Sequence, residues 1–383
     1  MASSKSLSSV RILVAPDKFK GSLTAEQAVE AICIGLERAL PEARLHKLPL
    51  ADGGEGTAAL FIKTFGGQMV DCDTTDALGR PVRAQYAWTP SLRQAVIEMS
   101  AASGLGLLQE NERDPLRATT IGTGTLIIDA ARRGAMKIIV GLGGSATNDG
   151  GAGVASAMGN QFFDGLGRAI VPTPASFRSI ARIEKSRRIF YPEIIALSDV
   201  RNPLLGPNGT SRTYGPQKGA TPEAVETLEA GLEHFAGLVT RDLHCDFRAV
   251  PGAGAAGGLG FGLRSFCQAT IRSGFDTLAD MMDIDRLIAS VDLVVTGEGQ
   301  IDAQTLDGKG PGGIAMRAKK LGKPVIAFTG AVRGEHHLHD FFDACFALAH
   351  KPMPIEQSMN EARVLLVRAA ERAGRVIAFS RYL

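Results

Sequence analysis

Acidic residues recur in this chain just after short apolar, β-branched runs, inside loops carrying glycine or proline. Asp17 follows Val10–Ala15 in APDKFKGS, with Lys18 and Lys20 beside it. Asp52 and Glu55 follow Leu45–Leu50 in ADGGEGT, and Asp199 follows Ile194–Ser198 in SDVRNP. Glu298 and Asp302 follow Val291–Thr296 in TGEGQIDAQT, with Lys309 downstream. Asp149 stands in the glycine run GLGGSATNDGGAG, between the strand-like Lys137–Gly141 and a helix near Ala152–Met158. A single such carboxylate is ordinarily a helix cap or turn former. Five strand ends bearing them, with lysines among them, suit a hydrated divalent cation and a phosphate-bearing ligand. The run Gly141–Gly153 holds six glycines beside Ser145, Thr147 and Asn148. Glycine lets backbone N–H groups approach an anion closely, and the following helix N-terminus adds a favourable dipole.

These residues need a scaffold, and the hydrophobic pattern supplies one. After the first strand, Thr24 and Gln27 form a capping box, and Val29, Ile32, Cys33, Leu36 and Leu40 mark one helical face. A second strand and a helix over Ala58–Phe65 follow. Toward the other end, Val291–Thr296, Pro324–Phe328 and Ala344–Leu348 read as strands, separated by helices near Gly312–Leu321 and His336–Phe342. A final helix carries Ala362, Leu365, Leu366, Ala369, Ala370, Ala373 and Ile377 on one stripe. Alternating strands and helices imply βαβ crossovers and a doubly wound parallel sheet. The middle differs: Val82–Trp88 and Gln94–Met99 read as a hairpin, with Lys137–Gly141 and Pro192–Ser198 as further strands among long loops. The expected class is α/β, with a discontinuous Rossmann-like domain formed by residues 1–70 and 287–383. A second α/β domain, residues 71–286, is inserted into it.

Composition narrows the function. Of 383 residues 45 are glycine, against an average near 7%. No G-x-y period exists, which excludes collagen and points to ligand loops. With 42 basic and 40 acidic residues and no long block of either sign, nothing signals nucleic-acid binding. The five cysteines are scattered in apolar surroundings without metal spacing, as expected of reduced thiols in a cytoplasmic protein. No stretch is apolar enough to span a membrane. There is no GxxxxGK[ST] and no GxSxG. Gly252, Gly254 and Gly257 match GxGxxG, but Pro251 precedes them and they read better as a helix entry close to another backbone. His336, His337 and His339 read as a solvated loop.

Taken together, the loop sequences resemble the glycerate kinase family of bacterial type. The resemblance rests on APDKFKGSL (15–23), PLADGGEGT (49–57), AASGLGLL (101–108) and GGSATNDGGAG (143–153). It continues through DVRNPLLGPNG (199–209), YGPQKGA (214–220), PGAGAAGGLG (251–260), TGEGQID (296–302) and GKGPGG (308–313). Lys18 departs from it, since the family commonly has serine there. The resemblance implies a flavodoxin-like domain built from both chain ends and an inserted domain likened to restriction endonucleases. It implies transfer of a phosphoryl group from ATP to D-glycerate, giving 2-phosphoglycerate, with Mg²⁺ in a cleft between two domains. On that reading Asp199 or Asp52 accepts the hydroxyl proton, and Lys20 and Lys218 balance anionic charge. Asp17, Gly143, Gly144, Ser145, Asn148, Asp149 and Asn202 bind substrate or phosphate, and Glu298 and Asp302 hold the metal. A homodimer is compatible with it, and no nucleic acid or membrane partner is implied. The rival readings are a nucleotide-dependent oxidoreductase using Gly252–Gly257, a non-catalytic sugar-acid-binding protein, and a kinase forming 3-phosphoglycerate instead.

Overall fold

The computed structural model describes residues 9–50, 54, 56–186, 192–302, 305, 310–333 and 338–380, Ser380 by its backbone alone. Asp52, Glu55, Lys309, His336 and His337 lie outside the described residues. The chain lays down β1 (Arg11–Val14) and β2 (Arg44–Lys47), then leaves for a second unit. That unit contains β3 (Gln68–Thr75), β4 (Pro81–Thr89), β5 (Gln94–Glu98), β6 (Lys137–Gly141), β7 (Gln161–Phe163), β8 (Arg182–Glu184), β9 (Glu193–Leu197) and β10 (Thr270–Arg272). The chain returns with β11 (Leu293–Ile301), β12 (Val325–Val332) and β13 (Ala344–Ala347).

The described residues of Met1–Ala51 and Phe275–Leu383 form one compact unit, and those of Asp52–Gly274 form the other. In the first, all pairings are parallel and the strand order is β13-β12-β11-β1-β2. That is the flavodoxin-like order, whose topological switch point falls between the two central strands, here β1 and β11. The sheet is covered on both faces, as an all-parallel sheet requires. Ile12 and Val14 of β1 pack toward the helices Ala25–Ala39 and Ala362–Ser380. Leu13, between them, joins Val294, Ile314 and Phe275 on the opposite face. The two-residue period of a strand produces this alternation. Thr24 caps the helix Ala25–Ala39 through a capping box with Gln27.

The second unit carries a mixed sheet in the order β10-β9-β6-β5-β4-β3, in which β3 and β4 run antiparallel and β5, β6, β9 and β10 are parallel. The hairpin of β4 and β5 lies where the sequence places it. β3 is an addition: its polar alternation, QMVDCDTT, carries little apolar signal because one face is exposed. The division at residues 51/52 and 274/275 differs from boundaries at 70 and 287. The helix Thr57–Phe65 packs on β3, β4 and β5, and Phe275 and Ala279 enter the core of the first unit. No helix among the described residues is long and apolar enough to cross a membrane.

At the first unit's edge, Arg11 donates from its backbone N and from Nη2 to Asp292, at 2.9 and 2.7 Å. These bonds pull the Asp292 carboxyl down to about 2. A carboxyl lowered on folding stabilises the fold above its unfolded value near 3.9, and loses that contribution as pH falls toward 2. Replacing Asp292 by Asn should therefore flatten a shallow decline in unfolding free energy between pH 4 and 2. The effect is small because both partners are substantially exposed. An unchanged decline in D292N, measured by urea titration, would show that other carboxylates cause it.

Candidate active-site residues

The first unit gathers its polar residues at the carboxyl ends of β1 and β11. The N–H of Asp17 donates to the Gly297 carbonyl at 2.9 Å, which draws the loop after β1 onto β11. Asp17 Oδ1 accepts from the Lys18 N–H at 2.6 Å. Gly310 opens the helix Gly310–Lys320 at φ +40°, and a Cβ there would lie 2.9 Å from Asp17 Oδ2. Glycine is thus what lets the helix N-terminus approach this carboxylate. Glu298 does not follow the strand but lies within it, because β12 runs on to Val332 and pairs Glu298 with Thr329 and Ile301 with Val332. Glu298 Oε1 accepts from Thr305 Oγ1 at 2.5 Å, and Thr305 Oγ1 accepts from the Asp302 N–H at 3.2 Å. One threonine therefore links both acidic positions, and Asp302 Oδ2 further accepts from Gln300 at 3.0 Å. Lys20 is exposed.

In the second unit the loops after β6 and β9 carry the polar residues. Asp149 is fully buried, and its carboxylate accepts from the Thr120 N–H and Oγ1, both at 2.8 Å, and from the N–H groups of Gly151 and Gly153, both at 3.1 Å. Burial pushes its carboxyl above the usual range, against these four donors. Asp149 thus uses its carboxylate to shape its own loop. Asn202 is likewise engaged internally, donating to the Asn208 carbonyl at 2.7 Å and accepting from the Tyr214 hydroxyl at 2.9 Å. Asp199 Oδ1 accepts from Ser273 Oγ and the Gly274 N–H, each at 2.9 Å, which orients its carboxylate at the end of β9.

Lys218, which the sequence places among the charge-balancing residues, is only 2% exposed. Its Nζ donates to Ser145 Oγ and to the Thr147 carbonyl, both at 2.8 Å. Burial lowers its pKa to about 7, with the Asp149 charge opposing the shift. Above this lysine runs Gly143–Asn148. Among the described residues, no acceptor meets the N–H groups of Gly143, Gly144, Ser145, Thr147 or Asn148. Among the described residues Asn148 Oδ1 and Thr210 Oγ1 are buried with no partner, while Asn148 Nδ2 donates to Ser211 Oγ at 3.1 Å. Ser145, Thr147 and Asn148 are buried while Gly143 and Gly144 are more open, and backbone donors left open so close together form a nest suited to an oxyanion. Thr120, Thr210 and Ser211 had no motif to reveal them; their hydroxyls matter only through what folds beside them.

The GxGxxG glycines serve packing instead. Gly257 sits at φ +69°, and a Cβ on it would fall 1.8 Å from the Thr147 carbonyl oxygen. Asp276, at the spacing of a ribose-binding acid, lies in the first turn of the helix Gly274–Met281 and takes Arg317 Nη2 at 3.0 Å.

Comparison with known proteins finds similarity along nearly the whole chain. The model of the glycerate kinase family matches residues 12–378. A Bacillus subtilis glycerate kinase is 41% identical over 366 residues, covering 94% of this chain and 96% of its own. The Escherichia coli glycerate 2-kinase is 39% identical over 375 residues, covering 96% of this chain and 98% of its own. A crystal structure from Salmonella typhimurium LT2, provisionally named glycerate kinase 2, superposes with a TM-score of 0.83 at 39% identity, covering 98% of this chain and 100% of that one. With matches of this length, on a fold whose loops carry these acidic and glycine-rich clusters, the chain belongs to the glycerate kinase family.

Proposed function

We propose that this protein transfers the γ-phosphoryl group of ATP to D-glycerate, forming 2-phosphoglycerate. The observation that carries the proposal is the family match over residues 12–378, because it spans every loop that bears a candidate residue. The relatives' names supply the acceptor, and the chemistry of the loops supports the rest. Phosphoryl transfer asks a protein mainly to position the reactants in line and to neutralise charge.

Each unit offers residues for that task. Glu298 and Asp302, joined through Thr305, would hold Mg²⁺, with Asp17 nearby on the loop after β1. Among the described residues no three His, Cys, Asp or Glu side chains form a closed metal cage. That donor set fits Mg²⁺, which keeps waters and takes one or two carboxylates plus phosphate oxygens. The ion, when bound, would neutralise charge on the phosphates. Gly310–Lys320 would direct its helix N-terminus at an anion, and Lys20 would add a mobile positive charge. The Gly143–Asn148 nest would take the glycerate carboxylate or a phosphate, with Lys218 supplying charge from beneath. Asp199, oriented by Ser273 and Gly274, or Asp52 would accept the proton of the attacking hydroxyl.

The test is ADP release coupled to a recording enzyme, with D-glycerate and MgATP, followed by phosphorus NMR of the product. The expected result is saturable ADP release and a 2-phosphoglycerate resonance. No ADP release above the glycerate-free rate would overturn the proposal. A 3-phosphoglycerate resonance would reverse its regiochemistry alone.

A further inference from the structure

A lysine in a phosphate-handling protein is ordinarily taken to touch the anion. Lys218 is placed otherwise. It is enclosed, and both of its hydrogen bonds run to the loop that carries the open backbone donors. Ser145 Oγ and the Thr147 carbonyl flank the turn at Ala146, whose N–H is held by the Ser103 carbonyl at 2.9 Å. Neighbouring contacts seal the lysine in place. Gly219, the next residue, sits at φ +94° with its Cβ position 2.6 Å from the Arg113 carbonyl, so this segment has no room to swing outward. Arg113 Nη1 reaches the Gln217 carbonyl at 3.5 Å. Asp149 is the charged group that acts on Lys218, and its carboxylate is already filled by four internal donors.

We infer that Lys218 is a positioning residue: it pins Ser145 and Thr147 so that the N–H groups of Gly143, Gly144, Ser145, Thr147 and Asn148 converge on the substrate's carboxylate, without touching that carboxylate itself. The inference rests on the glycerate-kinase reading and adds to it which ligand the nest takes and how it is shaped. Two features separate this role from direct contact. First, removing either end of the Lys218–Ser145 bond should produce the same defect, since both act through one loop. Second, the charge beneath the nest should matter to the anionic acceptor more than to the nucleotide. A buried amine near neutrality also gives the effect a pH signature. Only the ammonium form adds positive potential to the nest, so kcat/KM for glycerate should fall as pH rises above about 7.

The experiment compares wild type, K218M, S145A and the double variant in the coupled assay, from pH 6 to 9. Loss of a charge-assisted bond corresponds to roughly 10- to 100-fold in affinity. K218M should raise KM for D-glycerate by about that factor, with KM for ATP little changed and kcat reduced less. S145A should raise the same KM in the same direction. The double variant should be no worse than K218M, because the two residues form one unit. The alkaline fall in kcat/KM expected of wild type should be absent from K218M. Independent, multiplicative effects of K218M and S145A would overturn the inference, as would a rise confined to KM for ATP. An unaltered pH profile in K218M would overturn it too. If K218M does not fold, S145A and the wild-type pH profile decide: unchanged KM for glycerate in S145A would reject the role. Inactive wild type would instead reject the reading on which the inference rests, so the two failures are distinct.

Discussion

Replacing Asp199 by Asn should lower kcat by roughly 10²- to 10⁴-fold, with KM for ATP little changed, if this carboxylate accepts the hydroxyl proton. The substitution is clean for a structural reason. Asp199 Oδ1 accepts from Ser273 Oγ and the Gly274 N–H, and an asparagine amide oxygen accepts from the same two donors. These two bonds are therefore kept, while the basicity of the side chain is lost. Asp52→Asn is the paired experiment, since the ADGGEGT loop carries the rival base. A large loss in one variant only would assign the base. Near-normal turnover in both would remove the base role from these two aspartates.

The largest structural effect is expected at Gly257. Alanine there should destabilise the second unit by about 2–4 kcal/mol, combining a left-handed backbone with overpacking. For a unit of this size each kcal/mol moves Tm by about 2–4 °C, so a drop of roughly 5–15 °C should appear in calorimetry. The contact is what decides the outcome. Ala256, the preceding residue, already sits at φ 53°, so this segment tolerates a left-handed non-glycine residue. A Cβ at 257, however, meets the Thr147 carbonyl at 1.8 Å, and that carbonyl also accepts from Lys218. G257A should therefore raise KM for glycerate as well as lower Tm. A variant with Tm within about 2 °C of wild type would mean that Thr147 yields without cost.

Much of the fold was legible before any coordinates. A fully buried stretch of parallel strand needs an uninterrupted apolar run, and Ile12–Val14, Ile138–Val140 and Ile194–Leu197 announce β1, β6 and β9 that way. The capping box at Thr24 and Gln27 marked a helix start because its two hydrogen bonds depend on residues three apart. β3 was not legible, since only one of its faces is buried and Asp71, Asp73 and Thr75 occupy the other register. The end of β11 was misplaced for a different reason. Glycine and glutamate argue against a strand, yet β12 supplies pairing partners for Gly297, Glu298, Gln300 and Ile301. Long-range pairing outweighs local propensity there.

By itself, the sequence determined the α/β class, the crossover pattern and the loops that hold acid, glycine and lysine at strand ends. These follow from local periodicity and from spacings that a chain carries in one dimension. Which polar groups are spent on the protein and which remain for a ligand was decided only by the tertiary structure. Asp149 looked like a ligand and is occupied by four internal donors, and the GxGxxG glycines lie against backbone. Lys218 lies 73 residues from Ser145 along the chain and 2.8 Å from it in space. No local pattern encodes that meeting. A side chain's function depends on its hydrogen-bond partners and its burial, and the folded neighbourhood sets both.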